Sequence, residues 1–128
     1  MRTGVLLTVP RLFLHSEYRR SDVVITGYDD GVFEAKGDRF IIGRTPSAEI
    51  SIHASIGGHR TFGILRRDNT WVFHVQNEWA VARIDGHRLE YQPSHRFPRW
   101  ILEDGNVIDV LEVHTEEVVH RLRVEIRR

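Results

Sequence analysis

Apolar residues recur along this chain at every second position or in short unbroken runs, and no window keeps the spacing of an amphipathic helix. "DVVIT" (22–26) and "VFEAK" (32–36) are β-rich runs divided by Asp29-Asp30-Gly31, a hairpin turn signal. "RFIIG" (39–43) follows a second turn, Gly37-Asp38. "EISIH" (49–53) alternates, with Ile50 and Ile52 on one face; "RTFGILR" (60–66) alternates less cleanly. "TWVFHV" (70–75) is aromatic and β-branched, and "AVARI" (80–84) ends at the turn Asp85-Gly86. After Gly105 come "NVIDVLEV" (106–113) and "HRLRVEI" (120–126), the latter with Leu122, Val124 and Ile126 facing one way and Arg121, Arg123 and Glu125 the other. The stretch 91–100, "YQPSHRFPRW", holds two prolines and predicts a loop. Many short strands with frequent turns predict an all-β sandwich or barrel, with no repeat, low-complexity tract or interdomain linker.

At 128 residues the chain has the length of one domain with a single modest core. Its formal net charge is zero, so nothing global favours nucleic acid or a membrane surface. Of the 18 basic residues all but Lys36 are arginine, which reads either as compositional bias or as a supply of bidentate anion binders. There is no cysteine, which removes disulfides, thiolate metal sites and cysteine nucleophiles. The apolar run near the start, Val5 to Val9, is too short for a secretory or spanning segment, so the expected location is cytoplasmic.

The candidate chemistry is sparse. The eight histidines include no His-x-His pair, so His53, His59 and His74 predict no metal site, and no cofactor is expected. No Gly-x-Ser-x-Gly elbow and no phosphate-cradling glycine loop ahead of a helix occurs, so the chain does not read as an enzyme. "IIGRTPSAEISI" (41–52) is more informative: an apolar strand runs into Gly43-Arg44 and a polar loop with Ser47, then Glu49 opens a second strand. An arginine at the tip of a rigid strand is placed to meet a phosphate or carboxylate; the competing reading is a surface ion pair of little consequence. In "SIGGHR" (55–60), His59 after two glycines can tie loop backbone together through both ring nitrogens.

The order of these features resembles the forkhead-associated (FHA) domain, a β-sandwich that typically binds phosphothreonine peptides through its loops. Ile42-Gly43-Arg44 matches the strand ending in Gly-Arg, and Glu49-Ile50-Ser51-Ile52 the acidic residue before an Ile-x-Leu-like strand. "IGGHRTFGIL" stands where the family has a Ser-x-x-His loop, and "TWVFHV" where it has a strand opening on tryptophan. Asp85-Gly86 fits an Asn-Gly turn, and Leu102-Glu103-Asp104-Gly105-Asn106-Val107-Ile108 approximates a Leu-x-x-Gly-Asp-x-Ile element. The resemblance implies an FHA-like sandwich of about eleven short strands, mostly antiparallel. It spans residues 22–128, after an N-terminal extension over 1–21 that could supply an extra strand.

The departures fall on the binding residues. Counting back three from His59, the phosphate-gripping serine position holds Ile56, followed by Gly57 where a basic residue is common. Counting back six from Gly86, the peptide-holding asparagine position holds Ala80. Each lost charged-group bond costs about 1.5–3 kcal/mol, so two together weaken binding by about two to four decades. The resemblance therefore implies a non-enzymatic assembly or docking module with weakened or lost phosphothreonine recognition, as in degenerate FHA-like domains of bacterial secretion systems. Arg44, Ser47, Ser55, Asn77, Arg60 and Arg83 are the candidate partner-binding residues, while Gly43, His59 and Gly86 shape the loops. The alternative is a working phosphothreonine binder in a signalling protein, in which Ser55 supplies the hydroxyl and Arg60 or Arg83 a second charge. The expected partner is a protein or phosphoprotein, with no nucleic acid and no direct membrane insertion, in a cytoplasmic protein or the cytosolic domain of a membrane-associated one. Weak self-association through a sandwich edge stays open.

Overall fold

A computed structural model of the chain describes residues 21–28, 31–52, 60–91 and 98–127, with Arg60 described through its backbone alone. The regular elements are strands: β1 (Asp22–Thr26), β2 (Val32–Glu34), β3 (Arg39–Gly43), β4 (Ile50–Ser51), β5 (Arg60–Arg67), β6 (Thr70–Val75), β7 (Val81–Ile84), β8 (His87–Glu90), β9 (Arg99–Ile101), β10 (Val107–Leu111) and β11 (Val118–Arg127). They form a six-stranded sheet in the order β2-β1-β11-β10-β7-β8 and a five-stranded sheet in the order β4-β3-β5-β6-β9. Every named pairing is antiparallel except β3 with β4. The architecture is the expected all-β sandwich.

Alternation explains which faces meet. Phe40 and Ile42 of β3, Phe62 and Ile64 of β5, and Trp71, Phe73 and Val75 of β6 turn inward from the five-stranded sheet. Val23 and Ile25 of β1, Ala82 and Ile84 of β7, Ile108 and Val110 of β10, and Leu122 and Val124 of β11 meet them from the six-stranded sheet. At the centre Phe62 and Phe73 stack with ring centroids 5.3 Å apart. Each such buried side chain contributes about 1.5–3 kcal/mol relative to exposure.

β1, β3 and β6 coincide with the runs read from the sequence. β2 stops at Glu34 rather than continuing to Lys36, because Lys36 bridges to Arg39 across the tight Gly37-Asp38 turn. β8 and β9 go beyond the sequence reading, and β9 takes Arg99 and Trp100 from the stretch expected to be a loop. Pro98 does not prevent this: its carbonyl still accepts a bond from Val75 N (3.2 Å), and only its missing N–H is lost to the ladder. At the β7–β8 hairpin both turn residues have positive φ, 49° for Asp85 and 88° for Gly86, the geometry of a two-residue type I′ turn.

Candidate functional site

The loops of interest lie where β3 and β6 end. β3 runs buried from Phe40 to Gly43, and the chain then surfaces at Arg44. Gly43 pairs with both Ser51 of β4 and Arg60 of β5, so it is fixed from two sides, and the register shifts at Ile42/Gly43. Ile52 N donates to Gly43 O (3.1 Å), and the Tyr28 hydroxyl donates to Ser51 O (2.6 Å). Arg44 thus leaves a braced platform. Its exposed guanidinium has no hydrogen-bond or ion-pair partner among the described residues.

The loop from Arg44 to Glu49 is held by its own polar groups. The Thr45 and Ser47 hydroxyls share a bond at 2.9 Å, Ser47 N donates to Thr45 Oγ1 (3.2 Å), and Ala48 N donates to Thr45 O (3.1 Å). Glu49 locks the base: its N donates to Ile41 O (3.0 Å) while its Oε1 accepts from Ile41 N (2.6 Å). The carboxylate replaces a carbonyl of a missing neighbouring strand. This is a structural reason for an acidic residue ahead of β4, a role the sequence motif alone did not disclose.

Beyond β6, Gln76 N donates to Thr61 O (3.0 Å), which ties the β6–β7 loop to the start of β5. Asn77 Oδ1 accepts from Trp79 N (2.8 Å), and Ala80 N donates to Asn77 O (3.1 Å), so Asn77 builds the turn it stands in. Its carbonyl oxygen is occupied by the loop, leaving the amide nitrogen as the group able to meet a ligand. Ala80 is wholly buried in the core. Trp79, at 62% exposure, stands out from the same loop; sequence reasoning passed over it because nothing in the pattern separates it from the other tryptophans.

The candidates therefore divide. Arg44 and Ser47 share the β3–β4 loop, and the backbone of Arg60 lies opposite Gly43. Asn77 occupies the β6–β7 loop. Arg83 does not join them: it is opposite Asp109 and Arg88 on the outer face of the six-stranded sheet, because Ala82 and Ile84 take the inner positions. Gly86 sits in the β7–β8 turn. Ser55, Ile56, Gly57 and His59 lie outside the described residues, as does the side chain of Arg60. Among the described residues no group of three or more His, Asp or Glu side chains could hold a metal ion.

No protein-family model and no curated protein matches the sequence. Solved structures do match. The FHA domain of an Arabidopsis thaliana hypothetical protein superposes with a TM-score of 0.65 at 16% identity, over 85% of this chain and 88% of that one. The chain has the FHA fold. The FhaA FHA domain, solved in complex with the intracellular domain of Rv3910, gives 0.59 at 17% identity over 80% of this chain and 99% of that one. The second FHA domain of Rad53, solved with a phosphotyrosyl peptide derived from Rad9, gives 0.62 at 14% identity over 85% and 78%.

Proposed function

We propose that this chain is a non-enzymatic, protein-docking module of the FHA type, in which phosphothreonine recognition is weakened or lost. The observation that carries the reading is Ala80. It fills the position of the peptide-holding asparagine and is buried in the core. No side-chain amide can reach a ligand from there, and Asn77, three residues earlier, has its carbonyl committed to Trp79 N. FHA neighbours solved with phosphopeptides or protein partners support a protein partner for this fold. The motif resemblance extends the proposal to one docking domain of a larger assembly, such as secretion machinery.

Arg44 is also the observation that keeps phosphopeptide binding as the second reading, since it is exposed and has no partner among the described residues. Calorimetric titration with phosphothreonine peptides separates the two. The docking reading expects millimolar or no binding, unchanged in Arg44→Ala. A micromolar affinity that collapses in Arg44→Ala would replace it with the phosphopeptide reading.

A further inference from the structure

The outer face of the five-stranded sheet carries a second group of residues that the loops do not use. Leu65, Val72 and Ile101 form one row across β5, β6 and β9, and Gly63, His74 and Arg99 form the next. Phe62, Ile64, Trp71 and Phe73 alternate with them and face the core, so both rows point away from it. Ile101 is 61% exposed, and Arg67 and Arg99 are exposed with no side-chain partner among the described residues. Both guanidiniums act on His74, whose pKa is lowered first by burial and then by Arg99 and Arg67. Its Nε2 is buried without a hydrogen-bond partner among the described residues.

β9 is also the last strand of its sheet. Val75 N donates to Pro98 O (3.2 Å) and Leu102 N to Trp71 O (2.8 Å), which fixes the phase of the ladder. Alternate residues of an antiparallel pair exchange both bonds, so Trp100 turns its backbone to β6 while Arg99 and Ile101 turn theirs to the open edge. The edge thus offers N–H and C=O groups beside one exposed aliphatic and one exposed cationic side chain. Such an edge is a template for another strand.

The charge decides what kind of strand. A second copy of β9, paired antiparallel about Trp100, would set Arg99 against Ile101 of the copy and supply no carboxylate to either guanidinium. Residues 1–20 carry four arginines and one glutamate, the same sign as the edge. A nucleic acid finds neither a net positive domain nor an exposed aromatic platform on these rows. We propose that the β9 edge binds an extended acidic segment of a partner protein, which adds a strand beside Arg99 and Ile101. On the face it shares with Arg99 and Ile101, every second residue of the segment alternates a carboxylate, which meets Arg99, with an aliphatic side chain, which rests on Ile101. The surface lies three strands across from Gly43, so it does not depend on the phosphate-binding loops.

The test uses the whole chain, isotope-labelled for NMR, and two peptides: repeats of Glu-Thr-Val-Thr, which set Glu and Val on one face (the Glu-Val peptide), and the counterpart with lysine for glutamate (the Lys-Val peptide). The Glu-Val peptide should shift the Arg99 and Ile101 amides and slow their hydrogen exchange, with Arg44→Ala leaving its affinity unchanged. Arg99→Glu should weaken binding at least tenfold. Ile101→Pro, which removes an edge donor and no bond to β6, should do the same at an unaltered melting temperature. Equal binding of the Lys-Val peptide, no binding of the Glu-Val peptide, shifts confined to the Arg44 and Asn77 loops, or affinity unchanged in Arg99→Glu would each overturn the proposal.

Discussion

Arg66 shows how one side chain can serve the interior while reading, in sequence, as a surface residue. Its side chain is 6% exposed, with the guanidinium carbon 4.4 Å from the centroid of the Trp71 ring. Nε donates to Asp38 Oδ1 (2.8 Å), and Nη1 donates to the carbonyl of Ser21. Asp22 completes the group at 3.7 Å. Both carboxylates keep more than half of their exposure, so removing Arg66 does not strand a buried negative charge. The loss is that of the ring contact and the charged hydrogen bonds. Arg66→Ala is therefore expected to destabilise the fold by about 2–4 kcal/mol in urea unfolding. Arg66→Lys keeps the charge without the flat stack or the fork and should fall between the two. A change below about 0.5 kcal/mol for Arg66→Ala, the range of ordinary surface substitutions, would mean that the contacts contribute nothing net.

At the scale of elements, the turn between β7 and β8 is bolted to the start of β10 by two residues that depart from the FHA pattern in opposite directions. Asp85 stands where the pattern has asparagine, and Asn106 where it has aspartate. Asn106 Nδ2 donates to Asp85 Oδ2 (2.6 Å), Asp85 Oδ1 accepts from Val107 N (2.9 Å), and Asn106 Oδ1 accepts from Glu103 N (2.6 Å). Exchanging the two residues preserves every bond, because one carboxylate and one amide still face each other. Changing only one does not. Asp85→Asn gives a side chain with one acceptor for two donors, and Asn106→Asp sets carboxylate against carboxylate. Each single substitution is expected to cost about 1–3 kcal/mol, since it leaves a partly buried polar group without its partner. The double swap Asp85→Asn with Asn106→Asp should recover most of the loss in a double-mutant cycle. Additive losses would show that the pair is not coupled. The sequence disclosed the turn here, through Asp-Gly and its preference for positive φ, but not the bolt, because Asp85 and Asn106 are 21 residues apart. Likewise β1, β3 and β6 were legible from alternation, whereas the three residues of β9 beside Pro98 carried too little pattern to separate from a loop.

Over the whole molecule, order and spacing of weak motifs sufficed for the fold, while the site was legible only in part. Gly-Arg at the end of a buried strand pointed to Arg44. Arg83 stands apart from these loops because strand alternation sends it to the outer face of the other sheet, which no count along the chain reveals without the register. The same distribution of residues makes stability depend on pH. His74 on the outer five-stranded face and His120 on β11, its ring 4.9 Å from that of Tyr28, both have pKa values lowered from 6.5. Burial is the leading cause for each, and Arg99 and Arg67 add to it for His74. A lowered histidine pKa means that the folded chain resists a proton which the unfolded chain accepts. Above 6.5 both states are neutral and neither residue matters; as pH falls below 6.5 the unfolded chain binds protons first, and stability falls. The decline levels off once pH passes below the folded-state values, where both states are protonated. Urea midpoints should therefore drop between pH 7.5 and pH 5, above the range where carboxylates titrate. His74→Gln should flatten part of that slope. Arg99→Gln should raise the His74 pKa read by NMR and flatten it less, since burial remains. A midpoint that rises on acidification, or a slope untouched by His74→Gln, would show that these histidines do not couple protons to folding.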